Sequence, residues 1–123
     1  MAFEWLKKKD KSMNIKQLSA DFAVSGQISP DEVSALAGLG YKSIICNRPD
    51  AEVEATLAYA AVEAAAKAAG MEIRYIPIIH RVSGMDEVHQ TVTAMDELPK
   101  PIFAYCRSGA RSETFYNAAM QLA

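Results

Sequence analysis

One short run of the chain brings together the residue types needed for nucleophilic chemistry: Cys106-Arg107-Ser108-Gly109-Ala110-Arg111-Ser112. The apolar stretch 102–105 in front of it is rich in strand formers. Behind it, Phe115, Ala118, Ala119 and Leu122 recur at helical spacing, so the run reads as strand, loop and helix. At such a junction the loop N–H groups and the positive end of the helix converge on one point and favour an anion there. A cysteine at that point ionises more readily than a free thiol, and the thiolate is the nucleophile. Cys106 and Arg111 are therefore the candidate catalytic pair, the sulfur to attack and the guanidinium to face the oxyanion it meets. Arg107, Ser108, Gly109, Ala110 and Ser112 are candidate anion- or substrate-binding residues. Arg107 suits recruitment from solvent; the serines can satisfy loop backbone, and Ser112 can bond the thiolate.

These residues need a scaffold, and the chain supplies alternating elements. Segments 15–18 and 22–24 read as short strands, and Ser25-Gly26 closes the second. Ser29-Pro30-Asp31-Glu32 is a capping box with proline in the first turn, and it opens a helix that ends at Gly38 or Gly40. The run 43–46 is uniformly apolar apart from its first residue, as in a parallel strand covered on both faces. Asn47-Arg48-Pro49-Asp50 turns into an alanine-dense helix over 51–69, with Glu52 and Glu54 in its first turn and Gly70 as its stop. A strand over 72–79, a loop from His80 to Ser83 and a helix carrying Val88, Val92 and Met95 follow. Pro99 and Pro101 then lead into the strand before Cys106. The alternation predicts one three-layer α/β domain, with a mostly parallel sheet of four to five strands flanked by helices. Ligands of such sheets bind beyond the carboxyl ends of the strands, where Arg48, His80 and the Cys106 loop all fall. Arg48 and His80 join the candidate substrate-binding residues on that ground.

At 123 residues and a net charge of −2, the chain suits neither nucleic acid nor an anionic membrane, and no apolar run is long enough to span a bilayer. Two cysteines are too few for a disulfide scaffold and point to a reducing, cytoplasmic setting. Residues 1–12 read as an N-terminal extension and 13–123 as the catalytic domain. His80 and His89 lack companions for a metal site, so no metal or organic cofactor is expected.

The cysteine loop is similar to the active-site loop of rhodaneses, sulfurtransferases that carry a persulfide on cysteine. Ile44-Ile45-Cys46-Asn47-Arg48-Pro49-Asp50, Tyr75-Ile76-Pro77-Ile78 and the loop together resemble the tyrosine and dual-specificity phosphatase-like fold. Among such proteins the chain resembles the bacterial beta-lactamase-hydrolase-like phosphatase-like domains over roughly residues 13–122. Some members are fused to metallo-hydrolase domains, which have no counterpart here. Two departures from the phosphatase pattern stand out. Phosphatases of this class place five residues between cysteine and arginine, whereas four intervene here. The usual acidic general acid is replaced by His80-Arg81-Val82-Ser83, with Asp86 further on in a helical turn.

The expected activity is therefore sulfur transfer through a Cys106 persulfide. The substrate would be a small anion or sulfane-sulfur donor, with a possible protein acceptor. Phosphomonoester hydrolysis through a phosphocysteine is the alternative, and a non-catalytic anion-binding module the third reading. Cys46 and Cys106 both end apolar strands. If those strands are neighbours and the two side chains face alike, Cys46 can serve as a resolving thiol.

Overall fold

The computed structural model describes residues 14–123, so the expected extension over 1–12 lies outside the described residues. Five strands form one sheet: β1 (Lys16–Ser19), β2 (Phe22–Ser25), β3 (Ser43–Cys46), β4 (Glu72–Tyr75) and β5 (Ile102–Tyr105). Their order is β1-β2-β5-β3-β4, with β1 antiparallel to β2 and every other pairing parallel. The helices are α1 (Val33–Gly38), α2 (Tyr59–Ala68), α3 (Met85–Glu97) and α4 (Ala110–Leu122). Among the described residues no helix is long and apolar enough to cross a membrane.

The central strands are buried on both faces, which explains their unbroken apolar character. Alternate residues supply two cores. Ala23, Ile44, Phe103 and Tyr105 pack against Val33 and Leu36 of α1 and Val62 and Ala66 of α2. Phe22, Val24, Ile45 and Ala104 pack against Ala94 of α3 and Tyr116 of α4 on the opposite face. The result is the expected three-layer α/β domain. β5 lies in the middle of the sheet, so Cys106 emerges between the ends of β2 and β3.

Two local expectations need correction. The alanine-dense helix does not begin at 51: two 3-10 turns (Asp50–Glu52 and Ala55–Leu57) precede α2, and Val53 is extended. The Glu52 carbonyl accepts from Arg48 Nη2 at 3.2 Å, and its carboxylate is held by arginines, so this residue serves a tertiary network. Asp50 still caps α2 from a distance, its Oδ1 accepting from Tyr59 N at 2.9 Å. The strand expected over 72–79 ends at Tyr75, although Ile76 N still donates to Cys46 O at 3.0 Å and Ile78 N to Asn47 O at 2.9 Å. In α4 the buried stripe is Ser112, Tyr116 and Ala119, whereas Leu122 is half exposed. Ser29 does form its box: its N–H donates to Glu32 Oε1 at 2.9 Å.

Candidate active site

The loop after β5 turns into α4 at Gly109, whose φ of 98° is the left-handed conformation that glycine adopts at no steric cost. This turn directs the loop N–H groups inward at the Cys106 sulfur, and Gly109 N donates to it at 3.0 Å. Burial pushes the Cys106 thiol up, but the N–H groups of Ser112, Ser108 and Gly109, with the Ser112 hydroxyl, outweigh it. The net effect holds the thiol below its ordinary value, as a thiolate nucleophile requires.

The residues after β2 form the other wall. Cys106 N donates to Ser25 O at 3.3 Å, and Gln27 N to Arg107 O at 3.4 Å. A Cβ at Gly26 would lie 2.9 Å from the Arg107 carbonyl oxygen, so the absent side chain is what admits the loop. A cavity of about 460 Å³ borders the cysteine loop beside Ser108, Gly109 and Ala110, with the Lys16–Glu113 ion pair on its lining.

Arg111 reaches across the sheet end. Its Nη1 donates to Glu52 Oε2 at 2.9 Å and to Ile78 O at 2.8 Å, and its Nη2 donates to Glu52 Oε1 at 2.8 Å. A guanidinium has five N–H donors. Three are accounted for, and the remaining two, on Nε and Nη2, lie along one edge. That edge suits an oxyanion bidentately, and the guanidinium lies within hydrogen-bond reach of the Cys106 sulfur. Its bond to Glu52 is the main reason Arg111 is held above its usual value, and the same bond holds the Glu52 carboxyl low.

Arg48 braces this network through Glu52 at 3.4 Å and Gln27 at 3.3 Å. Ser112 is buried and donates to Asn47 Oδ1 at 2.8 Å, while Asn47 Nδ2 donates to Ile76 O at 2.8 Å. Arg107 and Ser108 are exposed on the outer side of the loop, Ala110 is exposed at the start of α4, and His80 is exposed on the turn after β4. The structure therefore gathers Cys106, Gly109, Arg111 and Ser112 at one point, with Arg48 behind Arg111 and with Arg107 and His80 outside it.

Sequence reasoning missed Glu52 and Asn47 as members of the site. Glu52 carries a weak signal, a carboxylate four residues after Arg48, but in an alanine-dense segment it reads as an acidic residue of a first helical turn. Asn47 lies within a motif singled out in the sequence, but there it reads only as part of a turn.

The proposed bridge between the cysteines is corrected by register. β3 and β5 are indeed neighbours, but Cys46 pairs with Tyr105, and both pack into the α1/α2 core. Cys106, one residue on, turns to the other side with Asn47. Cys46 is instead a buried thiol that burial pushes up, donating to Arg48 O at 3.5 Å. The Tyr105 hydroxyl beside it is buried without a well-directed hydrogen-bond partner. Among the described residues no group of three or more His, Cys, Asp or Glu is placed to hold a metal ion.

Residues 14–123 match the model of the beta-lactamase hydrolase-like protein, phosphatase-like domain. The chain belongs to that family. A beta-lactamase hydrolase-like protein of Agrobacterium fabrum is 30% identical over 104 residues, 85% of this chain and 24% of the relative. The chain thus spans about a quarter of the length of the curated relatives it matches. A candidate phosphatase from Neisseria meningitidis is 30% identical with a TM-score of 0.76, over 85% of this chain and 74% of that one. TpbA of Pseudomonas aeruginosa, solved in complex with phosphotyrosine, shares the fold at 19% identity and a TM-score of 0.64, over 91% and 67% of the two chains. The fold is that of the tyrosine and dual-specificity phosphatases. For the family member described here, the expected sulfur transfer finds no counterpart among these relatives, and the phosphatase alternative fits them better.

Proposed function

We propose that the chain is a phosphoric monoester hydrolase that works through a phosphocysteine on Cys106. The observation that carries this reading is the Cys106 sulfur at the focus of the loop N–H groups, with the Arg111 guanidinium, held by Glu52, beside it. The thiolate attacks phosphorus, forming the S–P bond as the ester P–O bond breaks, and the leaving oxygen takes a proton. Loop N–H groups and the Arg111 edge hold the equatorial oxygens, whose charge they are placed to meet. Water then attacks phosphorus, the S–P bond breaks, and Cys106 departs again as thiolate. The exposed His80 is the group on the nearby turn able to protonate a leaving group. Activated aryl esters, whose leaving oxygens need little protonation, should be the better substrates.

A second reading, sulfur transfer, is favoured by one observation. Only four residues separate Cys106 from Arg111, so the donors close tightly on the sulfur itself, as at Gly109 N. In that chemistry the thiolate attacks the outer sulfur of thiosulfate, sulfite leaves with the electron pair, and an acceptor thiolate then takes the sulfur from the persulfide.

A paired assay on one preparation separates the two: an aryl phosphate beside thiosulfate with a thiol acceptor. Phosphate release that is lost in Cys106→Ser, exceeding any sulfur transfer, is the expected result. Sulfur transfer with no phosphate release overturns the first reading in favour of the second.

A further inference from the structure

One hydrogen bond joins the anion-binding arginine to the turn after β4: Arg111 Nη1 donates to Ile78 O at 2.8 Å. Ile78 N donates to Asn47 O at 2.9 Å, so the base of that turn is tied to the end of β3 as well. The next residue, Ile79, opens a turn that closes on itself. Its carbonyl accepts from Val82 N and Ser83 N, both at 3.0 Å, and its N–H donates to Ser83 Oγ at 2.8 Å. Arg81 takes the left-handed conformation within it, at a φ of 66°.

This turn presents apolar surface. Ile78 is buried, whereas Ile79 is 48% exposed and Val82 74%. Six large apolar side chains are exposed among the described residues, and Ile79, Val82 and Met85 bring three of them within seven positions. The Val82 N–H bond to the Ile79 carbonyl holds these two residues together, next to the residue that anchors Arg111. They form an apolar lip on the Arg111 side of the site. Segment 79–83 carries no carboxylate, and the Ser83 hydroxyl is already engaged by Ile79 N. A carbon surface laid on the lip releases water favourably, while a hydroxyl laid there loses water and gains no bond from Ile79 or Val82.

We propose that Ile79 and Val82 are specificity-determining residues that select phosphate monoesters with a bulky apolar organic group over those of sugars and other polar alcohols. This deepens the hydrolase reading and rests on it. The loop N–H groups and Arg111 take the phosphoryl oxygens, and the lip takes the carbon body beside them.

The test reads binding without turnover, through protection of Cys106 from iodoacetamide by two phosphonates whose C–P bond replaces the ester. 1-Naphthylmethylphosphonate should protect at a concentration at least about tenfold below that of methylphosphonate, because only its ring covers the lip. In the double variant Ile79→Ser, Val82→Ser that ratio should fall to within about threefold. Leu122→Ser, which removes an apolar side chain exposed to 49% at the end of α4, should keep the full ratio. Should the double variant not fold, Val82→Ser alone, at the most exposed of these positions, should lower the ratio at least about twofold. Equal protection by the two phosphonates overturns the proposal and leaves the anion site standing. A ratio that survives the lip variants, or one lost equally in Leu122→Ser, overturns it too. Protection by neither phosphonate removes the anion site, and the hydrolase reading and this proposal fall together.

Discussion

Glu52 grips Arg111 with both carboxylate oxygens, at 2.8 and 2.9 Å, although 59 positions separate them in the chain. The pair leaves the Nε edge of the guanidinium free of Glu52, with Cys106 close by, so the carboxylate acts as a jig for the anion-binding face. Glu52→Gln should lower kcat/KM on an aryl phosphate roughly tenfold, about 1.4 kcal/mol of lost transition-state stabilisation. Thermal stability should change by no more than ~1 kcal/mol, because the partly exposed pair contributes little to folding. Steady-state kinetics and a melting curve on one preparation check both numbers. A large loss of stability with unchanged turnover would make Glu52 a structural residue only.

The two arginines of the loop should separate sharply. Arg111→Lys removes the paired donors of one edge, as well as the fork that meets Glu52, and should cost at least ~100-fold in kcat. Arg107 points to solvent, so Arg107→Lys should stay within about threefold of the parent. Kinetics of the two variants side by side suffices, and losses of equal size would assign the anion to the wrong arginine.

Ionisation of Cys106 should be visible directly. Its thiol is held low, so the reactive thiolate is populated above that depressed pKa and lost as pH falls through it. Alkylation by iodoacetamide should rise with pH to a plateau, with a midpoint below the ~8.5 of a free thiol. Cys46, buried and pushed up, should stay unlabelled in the folded chain over the same range. Peptide mapping after labelling distinguishes the two. A midpoint at or above the free-thiol value would leave Cys106 without its nucleophilic advantage.

What the sequence determined is what short-range chemistry determines. Cys106, Gly109, Arg111 and Ser112 lie within seven consecutive residues, and a strand–glycine–helix junction can converge its N–H groups in only a few ways. The apolar runs before Cys46 and Cys106 likewise announced a sheet covered on both faces, and Gly70 ended α2 because a left-handed φ of 76° asks for glycine. Strand order, by contrast, is a property of the assembled sheet. Only the assembled sheet decided that Cys46 pairs with Tyr105 and so faces away from Cys106. The helix expected from 51 failed for a related reason. Alanine propensity amounts to a few tenths of a kcal/mol per residue, and at Glu52 the neighbouring Arg48 and the distant Arg111 outweigh it. Asn47 meets Ser112 across 65 positions, through hydrogen bonds whose partners exist only once β3 and β5 lie side by side. Local pattern therefore carried the nucleophile and its cradle, and long-range packing decided which groups brace its loop and its arginine.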